Sequence, residues 1–266
     1  MDYKYIIYEK KDAISKITLN RPDNLNAMDF PGDGGIYDQF MDALDVAASD
    51  DDIKVTIIKA NGRSFCAGHD LSRIYKVYEE QDPEPGKRRP SQRARLRIDR
   101  KWLEGHQKLL LFPKITIAQV HGHCIGEGAI IAEMSDISIV ADDAHISHAE
   151  QRLGFAGSGI NLIPLFQMLG YKRARWMCLS GDSMNGTEAE RVGWATKSVP
   201  FDKLEENVNE VAERMLLLPK DGIMIGKASN QWILDILGYN AGLSHAYITH
   251  TLFTNLRFES NEYNFV

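Results

Sequence analysis

The sequence predicts an α/β fold in which short strands alternate with helices and a helical region closes the C-terminal end. Three observations carry this reading. Runs rich in β-branched residues alternate with segments whose apolar residues recur at helical spacing. The apolar run Ile117-Ala118-Gln119-Val120 breaks into closely spaced glycines, Gly122, Gly126 and Gly128, and then resumes as a helix-like sequence. From Lys172 onward the spacing is mostly helical, and strand signals are sparse after Val199.

Taken in order, residues 5–8 and 13–19 read as two strands bounded by polar or glycine-containing turns. Residues 37–48 follow as a helix, with Phe40, Leu44 and Ala47 on one face, and residues 55–60 as a third strand. The stretch 78–97 breaks the pattern. It runs from acidic Glu79-Glu80-Gln81-Asp82 through Pro83 and Pro85 to basic Lys87-Arg88-Arg89, and predicts a surface loop or lid. A fourth strand (115–120), a helix (129–134) and a fifth strand (137–141) repeat the unit. Helical spacing returns over 173–179, 187–192 and 204–218, with Gly181 and Gly193 as stops. Trp232, Ile233, Ile236, Leu237, Tyr247, Leu252, Phe253, Leu256 and Phe258 are more large apolar groups than a terminal tail needs. They predict a helical region over 199–266 that covers the core formed by 1–198 or a neighbouring subunit.

Bulk properties narrow the function classes. A formal charge of −6 argues against a nucleic-acid partner, because phosphate recognition needs concentrated positive charge. Cys66, Cys124 and Cys178 are odd in number and widely spaced, which fits neither a disulfide framework nor a paired zinc site. With no His-Glu-x-x-His pattern either, no metal site is expected. The first residues lack a basic stretch followed by an apolar one, and no uncharged apolar run reaches membrane-spanning length. A soluble, cytoplasmic protein without a membrane partner is the expectation.

The glycine-broken segment is where chemistry is expected. A strand turning sharply into a helix leaves main-chain N–H groups free at the positive end of the helix dipole, where they can hold a negative oxygen. Histidines are dense around it: His69, His121, His123, His145 and His148. Imidazole moves protons near neutral pH, although a packing role competes at each position. Cys66 and Cys124, among apolar neighbours, read as packing residues.

Four pieces of sequence, in order and at family spacing, carry a resemblance over about residues 4–215. They are Ile17-Thr18-Leu19-Asn20-Arg21-Pro22 with Leu25-Asn26-Ala27-Met28; Ser64-Phe65-Cys66-Ala67-Gly68-His69-Asp70-Leu71; the segment from Ile117 through Gly128 to Asp136; and Leu179-Ser180-Gly181-Asp182 with Ala189 and Gly193. The chain resembles the crotonase superfamily, the enoyl-CoA hydratase/isomerase proteins. The resemblance implies a spiral of repeated ββα units with C-terminal helices that support a homotrimer or homohexamer. It also implies an acyl-CoA substrate, with coenzyme A as part of the substrate and no permanently bound cofactor, and a place in fatty acid metabolism. Members of the family stabilise a thioester enolate with two main-chain N–H groups, which map here onto His69 and Glu127. Substrate and CoA contacts carry over to Leu25, Asn26, Ala27, Ala67, Gly68, Asp70, Leu71 and Gly126.

Of the two glutamates that hydratases of this family use, the second is matched by Glu150. The first falls on Ile130, which can neither accept nor donate a proton. Glu133 lies almost one helical turn further on and reads as a salt-bridge residue. His69 and His123 are the first candidates to replace the missing carboxylate. Lys87-Arg88-Arg89 with Arg93, Arg95, Arg97, Arg100 and Lys101 reads either as a phosphate contact or as a solvated amphipathic face. Three activities stay open: an enoyl-CoA hydratase/isomerase, a hydrolase of thioesters or β-diketone carbon–carbon bonds, and a binding protein that has lost catalysis.

Overall fold

The computed structural model describes residues 2–72, 92–154 and 162–252. β1 (Ile6–Lys11) and β2 (Ile14–Leu19) form an antiparallel hairpin across Asp12-Ala13, with Lys11 opposite Ile14. α1 (Ile36–Ser49) then crosses over and delivers β3 (Val55–Ala60) parallel to β2, with Ile14 beside Val55. Its capping group comes from upstream: both carboxylate oxygens of buried Asp29 accept from the N–H groups of Ile36 and Tyr37.

α2 (Gln92–Leu110) precedes β4 (Ile115–Val120), and α3 (Glu127–Met134) links β4 to β6 (Ile137–Ala141). β8 (Lys197–Val199) completes a six-stranded sheet of order β1-β2-β3-β4-β6-β8, parallel except for its first pair. All six residues of β4 are buried, as expected for a strand covered on both faces.

A second row of short pairings lies beside this sheet. β5 (His123–Ile125) pairs in parallel with β7 (His145–Ser147), and single bridges join Met28 to His69, Cys66 to Cys124, and Ile146 to Met184. Each turn of the chain thus adds one strand to the large sheet, a short extended piece to the second row, and then a helix. This is the ββα spiral, and the second row runs past the glycine turns.

The remaining helices are α4 (Leu162–Ser180), α5 (Gly186–Val192), α6 (Phe201–Met215), α7 (Lys220–Ile236) and α8 (Tyr239–Leu252). The run predicted over 173–179 is the second half of α4, which is bent at Gly170. Gly181 and Gly193 follow the ends of α4 and α5. The loop predicted over 78–97 needs correction at its end, because residues 92–97 are the first turns of α2. Charged side chains coat one face of α2 and a partly polar stripe faces inward, so no apolar period announced the helix. Residues 73–91, including Lys87-Arg88-Arg89, lie outside the described residues, as do Phe253, Leu256 and Phe258. Among the described residues no helix is long and apolar enough to cross a membrane, and no group of three or more His, Cys, Asp or Glu could hold a metal ion.

Asn26 fastens the first turn of the spiral to the second. Its side chain is fully buried, accepts from the Arg21 N–H at 2.7 Å, and donates to the carbonyls of Asn61 and Ser64 at 2.9 Å each. Asn26→Ala is expected to lower the unfolding free energy by about 2–3 kcal/mol, from three hydrogen bonds at roughly 1 kcal/mol each. Urea unfolding checks it, and a loss below about 0.5 kcal/mol would mean that these bonds are replaced in the variant.

Candidate active site

Two glycine turns from neighbouring layers of the spiral meet. Cys66 donates its N–H to the His123 carbonyl and accepts from the Ile125 N–H, each at 3.0 Å, so the segments 66–69 and 123–127 run side by side. Both turns use backbone angles that side chains disfavour, φ +96° at Gly68 and φ +53° at Gly126. A methyl group on residue 68 would lie 3.9 Å from the Glu127 nitrogen, and one on residue 126 would lie 3.9 Å from the Gly68 Cα.

The bridge with Met28 aims the His69 N–H. Gly68 and Asp70 make both main-chain bonds to Met28, at 2.8 and 2.7 Å, which turns the intervening N–H of His69 to the other side. The Gly126 N–H bonds to the Ser147 carbonyl and its own carbonyl closes the first turn of α3, leaving Glu127 as the first helical residue. Among the described residues neither the His69 nor the Glu127 N–H has an acceptor. Two unspent donors on adjoining rigid turns are the elements of an oxyanion hole.

Every residue of α3 is buried, including two glutamates. The Glu127 carboxylate sits 2.9 and 3.0 Å from His106 Nε2 and 3.3 Å from His69 Nε2. Burial pushes this carboxyl up, but the two imidazoles outweigh burial and hold it at about 2. The His69 ring stacks on Trp102 at 4.3 Å, and Tyr37 meets the other side of the cluster edge-on at 4.2 Å from Trp102. His69 is about a quarter exposed, and its Nδ1 is bonded to no described residue.

On the opposite side, Glu150 opens a 3-10 turn (Glu150–Leu153) directly after β7. Its Oε1 would stand 3.3 Å from a methyl on residue 126, which places the carboxylate at the turn that presents the Glu127 N–H. His148 is buried between carboxylates, with Nε2 2.8 Å from Glu133 Oε1 and Nδ1 3.6 Å from Glu150 Oε1. Trp194 Nε1 also donates to Glu133 Oε1, at 2.7 Å. Burial alone would lower the imidazole's proton affinity. The Glu133 charge and hydrogen bond, with Glu150 behind, raise it well above the ordinary histidine value. Burial raises the Glu150 carboxyl, and His148 more than reverses that.

The structure therefore gathers His69, Glu127, Gly68, Gly126 and Glu150 in one place. His123 is not with them: it is exposed, and its ring stands edge-on to His145 at 5.4 Å. His121 bonds to the Gly62 carbonyl and leans on Phe201. Ile130 is buried in the core, and Glu133 belongs to His148. Asp70 is buried in an ion pair with Arg21 at 2.8 Å, and Asn26 is spent on the backbone. Leu25 and Ala67 are joined by a main-chain bond, Ala27 accepts from the Arg21 side chain, and Leu71 is exposed. Cys66 and Cys124 are fully buried, and burial raises both thiols.

Sequence reading missed Trp102 and His106. Their signal was present, since Arg95, Asp99, Trp102 and His106 follow one another at helical spacing and are all buried. Arg95 correspondingly leaves both readings given for the basic set, phosphate contact and solvated face, pairing with Asp99 at 2.9 Å inside the protein.

Comparison with known proteins fits this geometry. The sequence model of the enoyl-CoA hydratase/isomerase family matches residues 9–231. A Mycobacterium tuberculosis protein named as an enoyl-CoA hydratase, EchA13, is 29% identical over 265 residues, 94% of this chain and 81% of its own. The trans-2-decenoyl-[acyl-carrier-protein] isomerase of Streptococcus mutans is 27% identical, over 81% of this chain and 77% of its own. Among solved structures, a probable enoyl-CoA hydratase from Mycobacterium smegmatis superposes with a TM-score of 0.82 at 29% identity, covering 94% of each chain.

The charge on Glu127 should show in stability. Its carboxyl falls from an ordinary 4.5 to about 2 on folding, so the stabilisation is fully present above about 4.5 and is lost as pH falls through about 2. Each unit is worth about 1.4 kcal/mol, so Glu127→Gln should be less stable by a few kcal/mol at neutral pH, and the gap should narrow on acidification. Urea midpoints of both proteins between pH 7 and pH 3 test this, and a gap independent of pH would show that the charge contributes nothing.

Proposed function

The chain belongs to the enoyl-CoA hydratase/isomerase family, and we propose that it moves a double bond in an acyl-CoA thioester by proton transfer through a single carboxylate, Glu150. The observation that carries the reading is the meeting of the two unspent N–H groups, on His69 and Glu127, with the Glu150 carboxylate at the Gly126 turn.

An α-proton of a thioester is too weakly acidic to leave unless charge on the carbonyl oxygen is stabilised. In this reading the thioester oxygen accepts from both N–H groups. Glu150 takes the C2 proton of a 3-enoyl thioester, and the electron pair of that bond spreads onto the held oxygen as a dienolate. The same carboxyl then returns the proton to C4 as the pair flows back, giving the 2-enoyl thioester. Low basicity suits Glu150 to be ionised before each turnover. Ile130 supports isomerisation over hydration, because an alkyl group there gives water no second carboxylate. Isomerases also occur among the relatives, in Streptococcus mutans and as the mitochondrial dienoyl-CoA isomerase of Dictyostelium discoideum.

One observation favours a second reading, in which water is added. Glu127 orients His69 through Nε2 and leaves Nδ1 unspent, the arrangement of a carboxylate-backed imidazole base. Neither reading gives exposed His123 a step. Both take the protein as a cytoplasmic homotrimer or homohexamer; the exposed apolar side chains of Trp176, Ile225, Trp232 and Ile236 support self-association.

Incubating the protein with 3-enoyl-CoA and 2-enoyl-CoA thioesters and following products by mass and proton spectra separates the readings. Glu150→Gln is expected to cut isomerisation by about 10³-fold, within the range for a positioned acid–base group, while CoA binding changes little. Coenzyme A at about 100 times its Kd should add about 2.7 kcal/mol to stability in both proteins. Unchanged turnover in the variant would sink the role of Glu150, and no CoA-dependent shift in Tm would sink the thioester assignment.

A further inference from the structure

We propose that His123 and His145 form a surface metal site, a two-histidine chelate that takes one borderline divalent ion of the copper, nickel and zinc group. The site stands apart from the reaction assigned above and braces, from outside, the two strands that lead into it.

Of the eight histidines, three are exposed: His123, His145 and His245. Each of the other five faces a carboxylate or a carbonyl. His123 opens β5 and His145 opens β7, and the parallel register sets their Cα atoms opposite each other. Side chains alternate in direction along a strand, and the next residues, Cys124 and Ile146, are both fully buried. The two histidines therefore project outward on one face, from strands about 4.8 Å apart. Their rings lie 5.4 Å apart, edge-on at 83°.

These dimensions suit a shared ion. An imidazole nitrogen binds zinc at about 2.0–2.1 Å, so each ring centre stands about 3.2 Å from the metal. Two rings held at square or tetrahedral angles then have centres about 4.5–5.2 Å apart, slightly closer than the separation here. The second side-chain torsion of histidine is soft, so two exposed rings can turn their nitrogens toward one point while the backbone stays still. That backbone is pinned on both strands. The His145 N–H donates to the Gly122 carbonyl at 2.8 Å, and the His123 carbonyl accepts from the Cys66 N–H at 3.0 Å.

The donors select the ion. Imidazole suits copper, nickel and zinc, whereas magnesium and calcium take oxygen ligands. Among the described residues no third His, Cys, Asp or Glu joins the pair, which leaves the other coordination positions to water. Exposed Arg152 is close enough for its positive charge to act on His145, and this works against a cation held by charge alone. Affinity then comes from the two coordinate bonds to nitrogen. Sequence spacing conceals the pair, because the two positions meet only through the pairing of β5 with β7. Beyond them the chain runs on to Gly126 and to Glu150, and the Gly126 N–H bonds to the Ser147 carbonyl at 3.0 Å. An ion on the two histidines adds a tie to that same pairing.

Calorimetric titration of the protein with Ni²⁺ and with Zn²⁺, and with Mg²⁺ for comparison, tests the site. Wild type is expected to bind one Ni²⁺ or Zn²⁺ per chain and to gain Tm as the ion is added, and Mg²⁺ to do neither. His123→Ala and His145→Ala should each weaken binding by about tenfold or more, because the second imidazole meets a metal already held on the first at a millimolar-range effective concentration. His245→Ala removes a solitary exposed histidine and should bind as wild type does. Electron paramagnetic resonance with Cu²⁺ at less than one ion per chain gives an independent readout, with two coupled ring nitrogens expected in wild type and fewer in either variant. No binding by wild type, undiminished binding in both variants, or loss in only one of them would overturn the proposal.

Discussion

A helix buried on every side that carries two carboxylates is the constraint around which this molecule is arranged. Isolated ions in a protein interior cost many kcal/mol, and they persist only with partners that restore the hydrogen bonds and charge lost from water. α3 meets that demand twice. Glu127 at its first position is held by His106 and His69, and Glu133 near its last is held by His148 and Trp194. These partners come from four different parts of the chain, so the two ion pairs lock together layers that the sheet alone would leave free to shift. Both pairs also end at the site, one through the His69 ring and the other through Glu150.

The first pair answers an electrostatic problem that the site creates for itself. In the proposed reaction Glu127 would offer its N–H to a developing oxyanion, and its own side chain is an anion a few bonds away. Uncompensated, that charge would oppose the enolate. The imidazoles that lower the Glu127 carboxyl to about 2 place positive charge or polarised N–H groups on the same carboxylate, and so shield the oxygen from it. The second pair works in the other direction, since His148 withdraws basicity from Glu150. With Ile130 between them in sequence, Glu127 and Glu133 are each held in a carboxylate–imidazole pair, and the carboxylate that stands at the Gly126 turn is that of Glu150, on the far side of His148.

What could be read from the sequence follows physical lines. The longer strands were legible because β2, β3, β4 and β6 are runs of β-branched residues, and the glycine turns because φ values of +96° and +53° at Gly68 and Gly126 exclude most other residues. β5 and β7 were not, since three residues hold too little periodicity to register. α2 was hidden by its charge: its inward stripe contains an arginine, an aspartate and a histidine, which pattern analysis assigns to solvent. The glycine turns that leave the His69 and Glu127 N–H groups unspent were legible through their main chain, whereas the partner of the Glu127 side chain, His106, lies 21 residues earlier in the chain.

The same stripe ties the C-terminal helix to the site. Asp99 on α2 accepts from Thr251 at 2.7 Å and lies 3.4 Å from His250, both on α8, while Arg95 pairs with Asp99 and reaches His250 at 3.1 Å. Arg95, Asp99, Trp102 and His106 are successive residues of one face, so the surface that fastens α8 continues directly into the surface that stacks on His69 and holds Glu127. A fully buried charge cluster is poorly tolerant of sliding, because any displacement separates ions in a low-dielectric interior. The C-terminal helix is therefore joined through two turns of α2 to the aromatic wall of the site, and the register of α8 on α2 sets where Trp102 and His106 stand.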